Sequence, residues 1–562
     1  MSDPAATASD DNPARTPRDG AGGDASYYQG FFSTPGRHQD GTERTPSGIA
    51  GLDELLGGGM PVGRAILIAG TAGTGKTLAA IHFALDGAAE ADSAAVFVSF
   101  EESSDQLRRT IASLGRDAKK AEDGGKLILL DVLPSHLEGG EAVQDMPDKH
   151  DGGGDVVLDD SFDLAGLLAR IVNAAQKINA DRVVIDSLAG LAANFVSSER
   201  HSGDRFDPNL ALRPPLRQLI EGLKRAGLTV LLTGERSGDD GPVSRFGLDE
   251  FITDGVLLFR NNRYGERRRR SVEIKKLRSC AHVEGESPFV IRAGRGISVL
   301  GISTMQLTQG SGVERTTTGV PELDRMTDGG LFRDSVVLIS GATGLGKTLL
   351  CNHFVMGGAN AGEKSMFLAF EESREQVFRN AAAFGLDLKE AERSGKIVLE
   401  SLYPEALGME EHLLRIQEVV RREQPRRLVI DSLSALERIG PQFAFRQFLI
   451  GLAAFVKQNR VTTVLTAGGG SLGDEVSISE QHISTLNDTI IMLRYIDTQG
   501  RMERALTLLK MRGSMHAREH RRYRITDSGM VLAGPKGDIN RLRTGEAMTS
   551  DVSDIDPTSD LD

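Results

Sequence analysis

Cysteine is nearly absent: Cys280 and Cys351 are the two in 562 residues, which excludes a disulfide framework or a zinc module. Long apolar runs are absent too. None approaches the ~20 residues needed to span a bilayer, so no membrane segment is expected. The first 36 residues, rich in Ala, Asp, Gly and Pro, lack the apolar core of a signal peptide and read as a disordered arm. The expectation is a cytoplasmic protein. A net charge of −13 gives no general basic footprint for nucleic acid. An N-K-x-D guanine-reading motif is also missing, which favours ATP over GTP.

What is present occurs twice. Gly70-Thr71-Ala72-Gly73-Thr74-Gly75-Lys76-Thr77 and Gly341-Ala342-Thr343-Gly344-Leu345-Gly346-Lys347-Thr348 both read G-x-x-x-x-G-K-T. Each follows a short apolar strand and opens an apolar helix, the context in which backbone N–H groups and a helix N-terminus cradle phosphates. Gly73, Thr74, Gly75, Lys76 and Thr77, and Gly344, Leu345, Gly346, Lys347 and Thr348, are therefore expected to bind nucleoside triphosphate. In each set the lysine reaches the β/γ-phosphates and the threonine holds Mg²⁺.

The repeat extends well past the loops. Phe97-Val98-Ser99-Phe100-Glu101-Glu102-Ser103 is echoed by Phe367-Leu368-Ala369-Phe370-Glu371-Glu372-Ser373. Val183-Val184-Ile185-Asp186-Ser187-Leu188 is echoed by Leu428-Val429-Ile430-Asp431-Ser432-Leu433, and Lys276-Leu277-Arg278 by Lys510-Met511-Arg512. The lysine-to-aspartate spacing is longer in the first copy, which places an insertion in the Gly/Asp-rich stretch 139–160, read as a surface loop. The resulting division is an arm over 1–36, one domain over 37–300, a second over 301–533, and an acidic tail over 534–562. Strand and helix signals alternate through each half, predicting α/β domains with a mainly parallel sheet flanked by helices.

Asp186 and Asp431 end apolar strands and are the expected Mg²⁺ carboxylates, with Thr77 and Thr348 as co-ligands. Glu101, Glu102, Glu371 and Glu372 also follow strands, where a carboxylate can orient or deprotonate a group attacking the γ-phosphate. Lys276 with Arg278, and Lys510 with Arg512, lie two apart on a strand, hence on one face. They read either as an ordinary basic strand face or as cations serving an adjacent subunit's γ-phosphate. The run Arg267 to Arg270 reads as a solvated hairpin or a subunit contact.

The second half carries Phe445-Arg446-Gln447-Phe448-Leu449-Ile450-Gly451, then His482-Ile483-Ser484-Thr485-Leu486-Asn487-Asp488, then Leu509-Lys510-Met511-Arg512-Gly513-Ser514. With these stretches the chain resembles the KaiC family, the duplicated RecA-type ATPases of the cyanobacterial circadian clock and their bacterial and archaeal relatives. The resemblance covers about 44–527 and implies two tandem RecA-like domains in a homohexamer. It implies that the second domain phosphorylates itself, and reverses the reaction, on Ser484 and Thr485 across a subunit boundary, with Glu371 as base and Glu372 in support. Ser479 is a further acceptor position, usually Thr in the cyanobacterial pattern, and Arg438 matches an arginine near the phosphorylated residues. Aligning Asp488 with Asp254 sets Glu250 and Phe251 opposite Ser484 and Thr485, so the first domain is expected to hydrolyse ATP, with Glu101 aligning water.

A KaiB-like protein and a downstream signalling kinase are the partners the resemblance suggests. The tail after Ile525 is short and acidic and does not resemble the segment that captures KaiA, which argues against activation of that type. Two other classes share the loops: a RecA/helicase-like DNA-dependent ATPase and an ATP-gated signalling scaffold. The first needs basic DNA loops after the second aspartate, and 467–480 is Gly-rich and acidic instead.

Overall fold

The computed structural model describes residues 42–132, 164–199, 208–236, 238, 252–301, 312–468, 486–498 and 501–534. The N-terminal arm, the insertion 139–160, Glu250, Phe251, Ser479, Ser484, Thr485 and the tail from 535 lie outside them.

Two nine-stranded sheets repeat one plan. Across the first, the strand order is Leu127–Asp131, Ala95–Ser99, Arg182–Asp186, Thr229–Glu235, Ala65–Gly70, Gly255–Tyr264, Arg267–Leu277, Glu286–Arg292 and Gly296–Val299. The second reads Ile397–Ser401, Ser365–Ala369, Arg427–Asp431, Thr462–Gly468, Val336–Gly341, Thr489–Thr498, Arg501–Met511, Arg521–Thr526 and Gly529–Leu532. In each sheet six strands pair in parallel and the last three add on antiparallel. The central strands are apolar without alternation because helices cover both faces. Ala65 to Ala69 and Val336 to Ile339 are accordingly buried. Each sheet has an apolar cluster on either face.

The copies share one strand register. Ile66 pairs with Gly255 as Val337 pairs with Thr489, and both partner residues directly follow the aligned aspartates. Asp254 accepts the Ala65 N–H at 3.0 Å and Asp488 the Val336 N–H at 2.9 Å, so each aspartate pins the start of its central strand. Lys224 and Lys457 neutralise them at 2.7 and 2.9 Å.

One expectation is corrected here. The basic run is not a solvated hairpin throughout: Arg268 stays exposed, while Arg267 and Arg269 turn to partners within the chain. Arg267 and Arg269 sit at the tip of the hairpin Gly255–Leu277 and bond to the second domain of the same chain. The tip lies beyond the antiparallel extension of the first sheet, a position that sequence spacing does not encode.

Candidate nucleotide sites

Each site is built where the central strand ends. The strand Ala65–Gly70 runs into the loop and then the helix Lys76–Glu90; Val336–Gly341 leads likewise to Lys347–Asn360. The residues capping these helices, Gly75 and Gly346, hold φ of 99° and 87° and provide no side-chain cap, so the first-turn N–H groups face the loop interior. A Cβ on Gly75 would fall 2.8 Å from Ile291 Cδ1, and with that positive φ only glycine fits. Thr74 is buried and donates to Thr71 O at 2.9 Å; Leu345 is also buried, and Tyr523 holds its carbonyl at 2.6 Å. Their side chains shape the loops from within.

Lys76 Nζ donates to Gly70 O and Thr71 O, both at 3.0 Å, and Lys347 Nζ to Gly341 O at 2.7 Å and Ala342 O at 3.1 Å. Burial holds both ammonium groups below the usual lysine range; Glu235, Asp186 and Glu101 oppose this in the first site, Asp431 and Glu371 in the second. Glu235 faces Gly70 in the strand register, where the second copy has Gly468 facing Gly341. The first site therefore carries one carboxylate more.

Thr348 Oγ1 donates to Asp431 Oδ2 at 2.6 Å, and Thr466 bonds its other oxygen. Asp186 is held the same way by Thr77 and Thr233. Burial pushes both carboxyls above the ordinary aspartate range. A buried carboxylate beside a threonine hydroxyl at a phosphate loop fits Mg²⁺, a hard cation that takes few protein oxygens and shares the rest with substrate phosphates and water. No group of three or more His, Cys, Asp or Glu able to hold a metal occurs among the described residues.

The strand register brings the glutamates to the same end: Ser99 pairs with Asp186 and Ala369 with Asp431. The serine closing each E-E-S triplet caps the next helix, Ser103 with Gln106 and Ser373 with Gln376, which fixes where the acidic pair leaves its strand. The pairs are held differently. Ser187 Oγ donates to Glu101, and Thr110 reaches Glu102 at 3.4 Å. Glu371 instead faces Arg438 at 3.2 Å, while Asn380 donates to Glu372 at 3.3 Å and Ser401 to the Glu372 carbonyl at 2.6 Å. Burial, then the nearby Asp431, raises the Glu372 carboxyl above its usual range.

The cation pairs lie at the other end of each sheet. Leu277 pairs with Gly255, which pairs with Ile66, four strand steps of about 3.3 Å before the loop begins at Gly70. Met511, Thr489 and Val337 repeat the arrangement. Lys276 Nζ donates to Thr253 O and Lys510 Nζ to Asn487 O, each at 2.7 Å. Arg278 and Arg512 are exposed. None of the four is brought to its own domain's phosphate loop.

Sequence reasoning passed over two pairs that support the sites. Arg182 and Arg427 open the strands ending in Asp186 and Asp431 and are 0% and 1% exposed. Arg427 donates to Thr317 O, Phe354 O, Thr316 Oγ1 and Glu363 at 2.6 to 2.8 Å, tying the start of the domain to the phosphate-loop helix. His82 and His353, on those helices, accept the Ile297 and Met530 N–H groups at 2.9 and 3.0 Å. The histidines recur at equal offsets from the loops and the arginines at equal offsets from the aspartates, which was the signal available.

The family description "ATPase: KaiC" matches residues 45–304 and again 316–537. Circadian clock protein KaiC3 of Synechocystis sp. is 39% identical over 522 residues, covering 93% of this chain and 98% of that protein. Circadian clock oscillator protein KaiC of Synechococcus elongatus is 40% identical over 497 residues, 88% of this chain and 90% of that protein. The protein of that name from Parasynechococcus marenigrum is 39% identical over 515 residues, covering 92% and 95% respectively. No helix among the described residues is long and apolar enough to cross a membrane. Matched through both halves, with each half built as a mainly parallel α/β domain around a phosphate loop, the chain belongs to the KaiC family of ATPases.

Proposed function

We propose that this protein is a timing ATPase that works as a homohexamer, the first domain hydrolysing ATP and the second transferring its γ-phosphoryl group to Ser484 or Thr485 of a neighbouring subunit. The observation that carries this reading is the position of Lys276, Arg278, Lys510 and Arg512 at the sheet end remote from their own phosphate loops. Cations placed there are remote from their own domain's γ-phosphate and are positioned to serve one on an adjoining molecule. Ser484 and Thr485 precede Asp488 by four and three residues in the chain, and Asp488 marks that same sheet end.

In the second site Lys347 would leave its loop carbonyls for the β/γ-phosphates, with Lys510 and Arg512 of the neighbour drawing on the γ-phosphoryl oxygens. Mg²⁺, held by Thr348 and Asp431, would neutralise phosphate charge when bound. The neighbour's hydroxyl oxygen forms the new P–O bond, the bond from the γ-phosphorus to the bridging oxygen breaks, ADP leaves, and the hydroxyl proton passes to Glu371. In the first site water takes the place of the hydroxyl and Glu101 orients it. The aligned residues Glu250 and Phe251 provide no hydroxyl.

The test is label transfer from γ-labelled ATP, with the modified residues mapped by mass spectrometry. Ser484→Ala with Thr485→Ala should remove most incorporation and leave ATP binding intact. Glu101→Gln with Glu102→Gln should remove most steady-state hydrolysis and spare labelling, while Glu371→Gln with Glu372→Gln does the reverse. Losses of about 10²–10⁴-fold are expected for a positioned base. Wild-type labelling in the double alanine protein would sink the acceptor assignment, and label in the first domain would sink the division of labour.

A further inference from the structure

Arg267 belongs to the first domain, yet its guanidinium works on the second. It donates to the carbonyl oxygens of Leu407 and of Glu405, the latter at 2.5 Å. These flank and include the short turn Pro404–Ala406, which follows the strand Ile397–Ser401. That connection is tied to the second glutamate pair from two sides. On one, Ser401 Oγ donates to Glu372 O at 2.6 Å and Leu402 N to Ala369 O at 2.9 Å. On the other, His412 is fully buried and its Nε2–H donates to Pro404 O at 2.9 Å. The same imidazole stands edge-on to Phe370, with 5.3 Å between ring centroids. Phe370 directly precedes Glu371 and Glu372.

A second grip keeps Arg267 over the turn. Arg269 bonds Glu410 and Gln447, both at 2.5 Å, and lies 4.8 Å from the ring centre of Phe443, which Tyr264 meets edge-on at 5.4 Å. Helices Met409–Glu423 and Gln442–Gln458 are thereby fixed against the hairpin tip. Arg267 then meets two backbone carbonyls with charge-assisted bonds from one planar fork, a geometry that a neutral side chain cannot reproduce.

We propose that Arg267 is a positioning residue for the second active site: by holding the turn Pro404–Ala406 it sets where Glu371 and Glu372 stand, so the first domain assembles part of the second domain's catalytic geometry. The proposal rests on the reading of those glutamates as catalytic, and two separate readouts keep the two apart. The first is backbone hydrogen exchange over 369–373 in the full-length protein. The second is second-site turnover, measured with Glu101→Gln and Glu102→Gln silencing the first site.

Arg267→Ala should raise exchange over 369–373 and lower second-site kcat by about tenfold with KM for ATP steady, the scale of one lost charge-assisted bond. Arg267→Lys should restore part of both. First-site turnover, measured with Glu371→Gln and Glu372→Gln present, should hold, which guards against a misfolded variant. Arg268→Ala, removing an exposed arginine that bonds its own hairpin at Asn261 O, should do nothing. Unchanged exchange over 369–373 in Arg267→Ala overturns the proposal, as does an equal effect from Arg268→Ala. Raised exchange with unchanged kcat leaves the positioning role standing and removes the catalytic role of the glutamates.

Discussion

Arg438 faces Glu371 at 3.2 Å, whereas the matching position of the first copy is Ala193 and Glu101 is held by the Ser187 hydroxyl. The pair is more than half exposed on the arginine side, so it contributes little to stability. Its interest is local charge. An arginine against one candidate base, where the other has a serine hydroxyl, distinguishes the two sites.

Replacing Arg438 tests that distinction. Ser484→Asp with Thr485→Glu adds negative charge, though less than phosphates of about −1.5 to −2 each. These charges should shift second-domain turnover in the wild-type background. In Arg438→Ala the shift should shrink to less than about half, while first-domain hydrolysis stays constant. Parallel turnover assays on the two backgrounds decide it, and an undiminished shift removes Arg438 from the switch.

Thr348 and Asp431 share one hydrogen bond, and Mg²⁺ would replace it with two oxygen contacts. Thr348→Ala should raise the magnesium concentration for half-maximal second-site turnover by about tenfold, the worth of one ligand contact. Lys347 contacts should persist, so nucleotide binding in excess magnesium should remain. A magnesium titration with fixed ATP measures it; an unshifted midpoint rejects Thr348 as a ligand.

His353 gives the second domain an acid limb. Burial holds its imidazole below the usual histidine range while Nε2 accepts the Met530 N–H. The folded state thus favours the neutral ring. The stability this provides is whole above about pH 6.5, the unfolded value, and is lost as pH falls towards the folded value. Buried His412, also held low, acts in the same direction. His353→Gln, whose amide oxygen can take the Met530 N–H, should flatten the fall in Tm between about pH 6.5 and 5 without abolishing it. Thermal unfolding across that range is the measurement, and an unaltered slope rejects the assignment.

Arg427 is buried and bonded through all its nitrogens, with its guanidinium 4.8 Å from the centre of the Phe354 ring. Arg427→Met takes one donor from Glu363, which keeps Arg333 at 2.5 Å, and one each from the Thr317 and Phe354 carbonyls, and should destabilise the second domain by about 2–4 kcal/mol. Denaturant unfolding, followed by probes in each domain, should show the second transition moving and the first staying. A midpoint shift worth under about 1 kcal/mol would mean that the Arg427 network contributes little.

The amino-acid order determined the local constructions by itself. Glycines at positive φ, an apolar strand and a helix start make a phosphate loop within a few residues, and so both loops, the aspartates that end their strands and the two α/β repeats were legible. The E-E-S triplets were legible for the same reason, since a serine three residues before a glutamine caps its own helix. Tertiary structure alone decided what meets across the chain. Lys276 and Lys510 stand at the far sheet end because their strands pair antiparallel with strands whose parallel register is set by residues 189 and 152 positions away, Ile66 with Gly255 and Val337 with Thr489. Arg427 reaches Thr317 from 110 positions away, and Arg267 reaches Leu407 from 140. No periodicity carries such a pairing. Whether an arginine bonds water, a carboxylate or another domain's carbonyls depends on which surface the fold brings against it.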